Sequence, residues 1–245
     1  MRLLIFITVW KRPEVTRLCY DGVNRLIKSF AEKDVDVDVL IVGSQDVHRD
    51  LAKEYKYNFF RTPNEPLGEK HNEGMRHAFT LPWDYLMHLG SDDFLDGRYV
   101  DYVVKYMKNK EPLFGLSKYY CINLNNYDTY EYTAKNNHIA GSGRLIRRDI
   151  AETTMTDSGR IWTPAKMIGL DWDSTNRMEE TCDIKNTIVD IGDNVFLIDL
   201  KSPVNLNRFG VLDLQRPHIN EVKFKEFTPE ITVENLEKLK KDLEI

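Results

Sequence analysis

The sequence has few cysteines, and they follow no pattern. Its 245 residues contain three, Cys19, Cys121 and Cys182, which lie far apart. A disulfide framework or a zinc site needs paired or closely spaced cysteines, so neither organises this chain. A chain without structural disulfides is typical of a reducing compartment, and we therefore expect a cytoplasmic protein.

Long apolar runs are missing as well. The run at residues 3–9 ends just before Lys11 and Arg12, and no small-residue cleavage site follows it. A signal peptide needs both a longer apolar core and such a site. A membrane-spanning helix needs roughly 20 consecutive apolar residues, which no part of the sequence approaches. We expect a buried first strand and no transmembrane segment.

An excess of positive charge is also absent. The formal net charge is -5, whereas proteins that bind the phosphate backbone of nucleic acids are more often basic. DNA or RNA is therefore disfavoured as the main ligand. Hydrophobic residues make up 42% of the chain and charged residues 30%, as in an ordinary globular protein. The sequence contains no internal repeat and no low-complexity segment, so a single domain is the simplest account.

Strand-like and helix-like patterns alternate through the first part of the chain. Apolar, β-branched runs occur at residues 3–9, 37–42, 57–61 and 85–89, and helical spacing occurs at 13–30, 49–55, 68–79 and 99–107. Such alternation predicts a mostly parallel sheet with helices on both faces. The second half is mixed: it is strand-like at 113–132 and 186–199, and helical at 167–178 and 233–243.

Polar residues follow three of the predicted strands where each strand ends. They are residues 8–12, 44–46 and 92–93. Ligands of parallel α/β sheets bind beyond the carboxyl ends of the strands, so we expect these segments to form the site. Asp92 and Asp93 repel each other unless a cation or a solvated turn lies beside them. The sequence leaves two interpretations open: a site for Mg²⁺ or Mn²⁺, or an acidic turn that caps the next helix.

Basic and acidic side chains elsewhere are further candidates. Arg12 and Lys70 could contact phosphate groups, or they could be ordinary exposed charges. Asp171 could act as a base that deprotonates a hydroxyl group, or it could be the N-cap of the helix that follows. Trp172 could stack on a sugar ring, or it could pack in the core.

Four segments together resemble one family. In chain order they are "ITVWKRPE", "LGEKHNEGMRHA", "YLMHLGSDDFLD" and "GLDWDSTNRM", within residues 3–180. Their order and spacing are similar to those of the GT-A glycosyltransferases, in particular the large inverting family that uses nucleotide sugars. The resemblance implies a Rossmann-like, mostly parallel central sheet flanked by helices, with a mixed β and helical C-terminal half.

The resemblance also implies a set of site residues. The donor nucleotide sugar would be bound by Thr8, Trp10, Arg12, Ser44, Lys70 and Asn72. Mn²⁺ or Mg²⁺ would be bound by Asp92, Asp93 and, late in the chain, His218. Asp171 would be the catalytic base, and the acceptor would be contacted by Gly141, Trp172 and Asp173.

The implied reaction moves a sugar from a nucleoside-diphosphate sugar to a hydroxyl acceptor, with inversion. The acceptor would be a saccharide, a lipid-linked sugar, a protein or, less expected, a modified DNA base. Residues 1–110 would bind the donor, residues 111–200 would supply the acceptor and catalytic half, and residues 201–245 would form a C-terminal wrap and helix.

The sequence departs from the family pattern at two places. Ile41 and Val42 stand where the family often has an acidic pair that reads uracil, so a uridine donor is not implied. Gly90 stands at the first acidic position of the family's metal-binding motif. Two other functions stay open. A sugar-phosphate nucleotidyltransferase also pairs an α/β sheet with acidic metal ligands, and Gly90 and Val42 favour a nucleotide-sugar-binding protein of the same fold without catalytic activity.

Overall fold

The structure is a computed structural model that describes residues 1–125, 127, 129–134, 137–192, 194, 196–202 and 233–243. Within these residues the strands are β1 (Arg2–Val9), β2 (Asp36–Gly43), β3 (Asn58–Arg61), β4 (Tyr85–Gly90), β5 (Asp93–Leu95), β6 (Leu113–Gly115), β7 (Lys118–Asn123), β8 (Thr129–Thr133), β9 (Arg144–Arg147), β10 (Thr187–Ile188) and β11 (Leu197–Lys201). The helices are α1 (Pro13–Ala31), α2 (Asp46–Glu54), α3 (Leu67–Ala78), α4 (Tyr99–Lys108), α5 (Arg148–Ser158), α6 (Leu170–Cys182) and α7 (Val233–Asp242). None of these helices combines the length and the apolar character needed to cross a membrane.

The central sheet has seven strands in the order β10-β6-β9-β4-β1-β2-β3. Strand β1 pairs in parallel with both β2 and β4, and β2 pairs in parallel with β3. Strand β9 enters between β4 and β6 and is antiparallel to both. The predicted α/β fold with a mostly parallel sheet and a mixed second half is therefore confirmed.

The apolar run of β1 explains why this strand lies at the centre. Side chains alternate between the two faces of a strand, and both faces of β1 are covered. Leu3, Ile5 and Ile7 pack in one hydrophobic cluster, which includes residues of α1. Leu4 and Phe6 pack in a second cluster, which includes residues of α3. The two helix layers therefore hold β1 in place, and its carboxyl end is fixed at the edge of the sheet.

A second sheet has four strands in the order β5-β11-β7-β8. Strand β11 is antiparallel to β5 and parallel to β7, which is antiparallel to β8. The chain leaves the first sheet at Gly90 and enters the second at Asp93. The backbone N–H of Leu200 donates a hydrogen bond to the carbonyl oxygen of Asp92 at 2.9 Å. The acidic pair therefore lies at the junction of the two sheets.

Several predicted details differ from the structure. Helix α2 begins at Asp46, three residues before the predicted helical spacing at 49–55, and Gln45 is its N-cap. Helix α5 was not predicted, because it buries only Ile150, Ala151 and Thr154 and its apolar pattern is correspondingly weak. Most of the predicted C-terminal wrap lies outside the described residues, whereas the terminal helix is present as α7.

Helix α3 approaches the sheet closely at a glycine. A Cβ atom at Gly74 would lie 2.7 Å from a ring carbon of Phe6 and 2.8 Å from a methyl carbon of Val42. Both neighbours are wholly buried, so neither can move aside without disturbing the second cluster. A residue with a side chain here would push the helix away from β1 and β2.

We therefore expect Gly74→Val to lower the free energy of unfolding by about 1–3 kcal/mol, as overpacking of a filled core does. Arg76→Val is the matched control in the same helix, because Arg76 is exposed and its ion pairs with Glu69 and Glu73 are at the surface. This control should cost less than about 1 kcal/mol. Urea unfolding monitored by circular dichroism measures both. Equal losses would show that α3 does not need the close approach.

Candidate active site

A cleft lies at the carboxyl ends of β1 and β4, where the two sheets meet. Eight of the residues predicted for the site line it: Thr8, Trp10, Arg12, Lys70, Asp92, Asp93, Gly141 and Asp171. They come from separate segments of the chain and are brought together by the parallel pairing of β1 with β4 and by the approach of helix α6. The cleft is also lined by Asp199 and Lys201, which were not predicted to belong to the site.

Three carboxylates form an acidic cluster in the cleft. Ligand oxygens of Asp92, Asp93 and Asp199 lie within 4.8 Å of one another. Asp199 belongs to β11 and pairs in register with Asp93 of β5, which brings residues far apart in sequence side by side. A signal for Asp199 was present in the sequence, since Asp199 and Lys201 interrupt the otherwise apolar strand "LIDLK", all of which is buried.

Two cations pair with the acidic cluster. Nη1 of Arg12 lies 2.9 Å from Oδ2 of Asp92, and Nζ of Lys201 lies 2.5 Å from Oδ2 of Asp199. Burial alone would raise the pKa of Asp92, but the charges of Arg12 and Lys201 outweigh burial and lower it. Burial raises the pKa of Asp93 well above its usual value, and the charges of Asp199 and Asp92 add to this effect.

Asp199 has a carboxylate oxygen that could bind a further partner. Burial raises its pKa to about 6, although Lys201 opposes the shift. Its Oδ1 atom is buried and has no hydrogen-bond partner among the described residues. A buried carboxylate oxygen without a partner is unfavourable, and a hard divalent cation would satisfy it. The three carboxylates therefore fit Mg²⁺ or Mn²⁺, which prefer oxygen ligands.

Gly90 allows Asp93 to fold back over the end of β4. The backbone N–H of Gly90 donates to Oδ2 of Asp93 at 3.1 Å and to Oγ of Ser142 at 2.9 Å. A Cβ atom at position 90 would lie 2.2 Å from that Oδ2 atom. An aspartate at this position could not coexist with the present position of Asp93. The departure from the family motif at Gly90 is thus coupled to the placement of Asp93.

Asp171 lies in the first turn of α6 and faces the cleft. The N-cap of α6 is Gly169, with a φ of 67° and no side-chain capping bond, so the interpretation of Asp171 as an N-cap is wrong. A Cβ atom at Gly141 would lie 2.0–2.4 Å from the carboxylate atoms of Asp171. Only glycine at position 141 leaves room for the carboxylate in this orientation.

Arg144 donates hydrogen bonds to the first turns of α6. Its Nη1 donates to the carbonyl oxygen of Asp171 at 3.0 Å and to Oγ1 of Thr175 at 2.8 Å. Arg144 is wholly buried, and this burial lowers the pKa of its guanidinium. The beginning of the helix is therefore fixed by hydrogen bonds from a buried charge, and Asp171 is held toward the cleft.

Lys70 reaches the cleft from α3. Its Nζ donates to the carbonyl oxygen of Val9 at 2.6 Å and to Oδ1 of Asn64 at 2.9 Å. Lys70 is 2% exposed, and burial lowers its pKa to about 7. It has no carboxylate partner among these contacts, unlike Arg12 and Lys201, and an anion bound beside it would stabilise its charge.

Two residues predicted to bind ligands have other partners. The amide of Asn72 donates to the carbonyl oxygen of Trp162, and its Oδ1 accepts from the backbone N–H groups of Ile161 and Trp162. Oδ2 of Asp173 accepts from the backbone N–H of Thr163 at 2.7 Å, and its Oδ1 accepts from the side chain of Thr163. Neither residue lines the cleft, because each fastens the 161–163 segment to a helix.

Of the three remaining predicted residues, two are not among those that line the cleft and one lies outside the described part of the chain. Ser44 does not line the cleft, and its carbonyl oxygen accepts a hydrogen bond from Arg61. Trp172 is 43% exposed and stacks on His138 with ring centroids 3.5 Å apart, so core packing is the wrong interpretation for it. His218 lies outside the described residues.

Comparisons with known proteins support the fold. The sequence matches no protein-family model and no curated protein sequence. The structure is similar to TarS 1-349 of S. aureus in complex with UDP-GlcNAc, with a TM-score of 0.54 and 12% identity over 82% of this chain and 59% of that chain. It is also similar to the catalytic domain of Drosophila beta1,4galactosyltransferase 7 in complex with xylobiose, with a TM-score of 0.50 and 11% identity over 80% of this chain and 69% of that chain. These likenesses confirm the predicted GT-A fold.

The lowered pKa of Lys70 predicts a pH dependence of stability. Its pKa falls from 10.5 to about 7 on folding, so between these pH values the unfolded chain holds a proton that the folded chain has released. The contribution of Lys70 to the free energy of unfolding should therefore rise with pH over this window, by up to about 1.4 kcal/mol per pH unit.

Urea unfolding of wild type and Lys70→Met between pH 6 and pH 10 measures this contribution. The difference, wild type minus variant, should be constant below about pH 7 and increase above it. Two curves that stay parallel over the whole range would contradict the inferred burial of the ammonium group.

Proposed function

We propose that the protein is a glycosyltransferase that moves a sugar from a nucleoside-diphosphate sugar to a hydroxyl acceptor, with inversion at the anomeric carbon. The observation that carries the proposal is the convergence, in one cleft of a GT-A fold, of an acidic cluster with the carboxylate of Asp171. The acidic cluster is suited to bind a diphosphate through a cation, and the carboxylate of Asp171 is suited to remove a proton from an acceptor.

The donor would lie along the ends of β1 and β4. Arg12 and Lys70 would contact its diphosphate, and Thr8 and Trp10 line the same part of the cleft. TarS was solved with UDP-GlcNAc, which suggests a nucleotide sugar here as well. Ile41 and Val42 are wholly buried inside the sheet and cannot contact a base. The uracil-reading carboxylate of the family therefore has no equivalent at these two positions.

Mg²⁺ or Mn²⁺ would be held by Asp92, Asp93 and Asp199. When bound, such a cation neutralises the charge that develops on a leaving diphosphate. The protein's own contribution is to hold three carboxylates at one place, with the backbone of Gly90 orienting Asp93. Arg12, already paired with Asp92, places a second positive charge beside the same position.

Asp171 would accept the proton of the acceptor hydroxyl. Inversion requires attack from the face opposite the leaving group, so the base must lie across the cleft from the diphosphate. The exposed Trp172 follows Asp171 directly and presents a flat aromatic surface backed by His138. Such a surface suits the apolar face of a sugar ring, and we therefore favour a saccharide or a lipid-linked sugar over a protein or DNA acceptor.

A ligand panel tests the donor class. Nucleoside-diphosphate sugars should raise the melting temperature in the presence of Mn²⁺, and their turnover should release a nucleoside diphosphate. The control is the same panel with nucleoside triphosphates and sugar phosphates. Release of pyrophosphate from that mixture would identify a nucleotidyltransferase instead, and tight donor binding without any turnover would identify a binding protein.

Asp171→Asn should lower kcat by about 10²–10⁴-fold, the usual contribution of a general base, while donor affinity stays close to that of wild type. Asp173→Asn is the matched control two residues away, because the carboxylate of Asp173 binds Thr163 and does not line the cleft. This control should lower the free energy of unfolding and leave kcat close to that of wild type. Steady-state kinetics and donor titration separate the two effects. Full activity in Asp171→Asn would refute the assignment of the base.

A further inference from the structure

Lys201 is an unusual lysine, because its ammonium lies inside the acidic cluster. Its Nζ is 2.5 Å from Oδ2 of Asp199, and the residue is 7% exposed. A buried ammonium is strongly unfavourable unless carboxylates compensate it, so Lys201 and the cluster depend on each other.

The geometry of β11 fixes this arrangement. Asp199 and Lys201 are two residues apart in a strand, so their side chains lie on the same face of the sheet. Asp199 is held in register with Asp93 on one side and with Cys121 on the other. The lysine therefore cannot leave the neighbourhood of the carboxylates by a shift of the backbone. It can only redirect its flexible side chain.

We propose that Lys201 is the resident counter-cation of the acidic cluster and that a divalent metal must displace its ammonium from Asp199 to bind. The inference rests on the metal site proposed above and adds a competitor built into the chain. The displaced ammonium stays within the same cleft, which Lys201 itself lines, and there it can face the diphosphate of the donor. Metal and lysine thereby exchange places: the ammonium leaves a carboxylate and gains a phosphate oxygen.

Charge explains why the two cations compete. The cluster carries three carboxylates, and Arg12 and Lys201 bring two positive charges to it. A divalent cation placed among the same oxygens would lie within a few ångströms of the ammonium, and like charges at that distance in a buried site repel strongly. Removal of the ammonium should therefore strengthen metal binding, whereas removal of a carboxylate should weaken it.

The test is the Mn²⁺ affinity of the full chain, measured by isothermal titration calorimetry or electron paramagnetic resonance. Lys201→Met and Lys201→Gln should bind Mn²⁺ about tenfold more tightly than wild type or better, and Lys201→Arg should stay close to wild type because it keeps the charge. Lys118→Met is the control, since Lys118 lies in the same sheet but pairs with Glu131 at 3.9 Å. It should leave Mn²⁺ affinity unchanged.

A second measurement uses the wild-type protein and does not depend on the folding of a variant. Acetylation of lysines by acetic anhydride, followed by mass spectrometry, should modify Lys201 faster in the presence of Mg²⁺ than in its absence, relative to Lys118.

Asp199→Asn should lose Mn²⁺ affinity, which locates the metal at the cluster.

The outcomes separate the two proposals. The counter-cation inference would be overturned if Lys201→Met and Lys201→Gln both bound Mn²⁺ no more tightly than wild type and if Mg²⁺ did not change the acetylation rate of Lys201. That result would leave the glycosyltransferase proposal intact. No Mn²⁺ binding by wild type or any variant would overturn the inference together with the metal site. Glycosyl transfer itself is decided separately, by the products released.

Discussion

The structure depends on holding three carboxylates together in a place with little access to water. Like charges repel more strongly when they are buried, so this arrangement is stable only with cations beside it. Arg12, from the loop after β1, and Lys201, from β11, supply them. The loop, the end of β4 and the second sheet are thereby drawn to one point. The ion pairs that neutralise the cluster therefore also help to hold the two sheets together.

Glycines shape the rest of the cleft by the space that they leave free. The carboxylate of Asp93 lies where a side chain of residue 90 would begin, and the carboxylate of Asp171 lies where a side chain of residue 141 would begin. Both carboxylates rest directly against backbone, which limits the orientations they can adopt. The backbone beside each carboxylate therefore helps to orient it toward the cleft.

The sequence was a good guide to the first half of the fold. The apolar run of residues 3–9 and the helical spacing that follows were enough to predict a parallel sheet, since both signals are local. The residues that line the cleft were predicted in part. The ends of β1 and β4 could be placed from their order in the chain, but the positions of Asn72 and Asp173 depended on which face of a helix met which segment.

The place of Asp199 and Lys201 in the cluster could not be predicted from local patterns. They reach the cluster only through the pairing of β11 with β5, and a strand of three residues such as β5 leaves almost no periodic signal. Tertiary pairing over about a hundred residues decides their place. The polar residues in "LIDLK" were the one local sign that this short strand contributes side chains to a site.

The position of β11 in the second sheet has a dynamic consequence. It is the strand between β5 and β7, and it supplies both a carboxylate of the cluster and the lysine paired with it. Local opening of β11 would break its pairing with β5 and separate Asp199 from Asp93, whereas the pairing of β1 with β2 and β4 involves neither of these strands. The charge balance of the cluster therefore depends on the order of β11 as well as on the loop after β1.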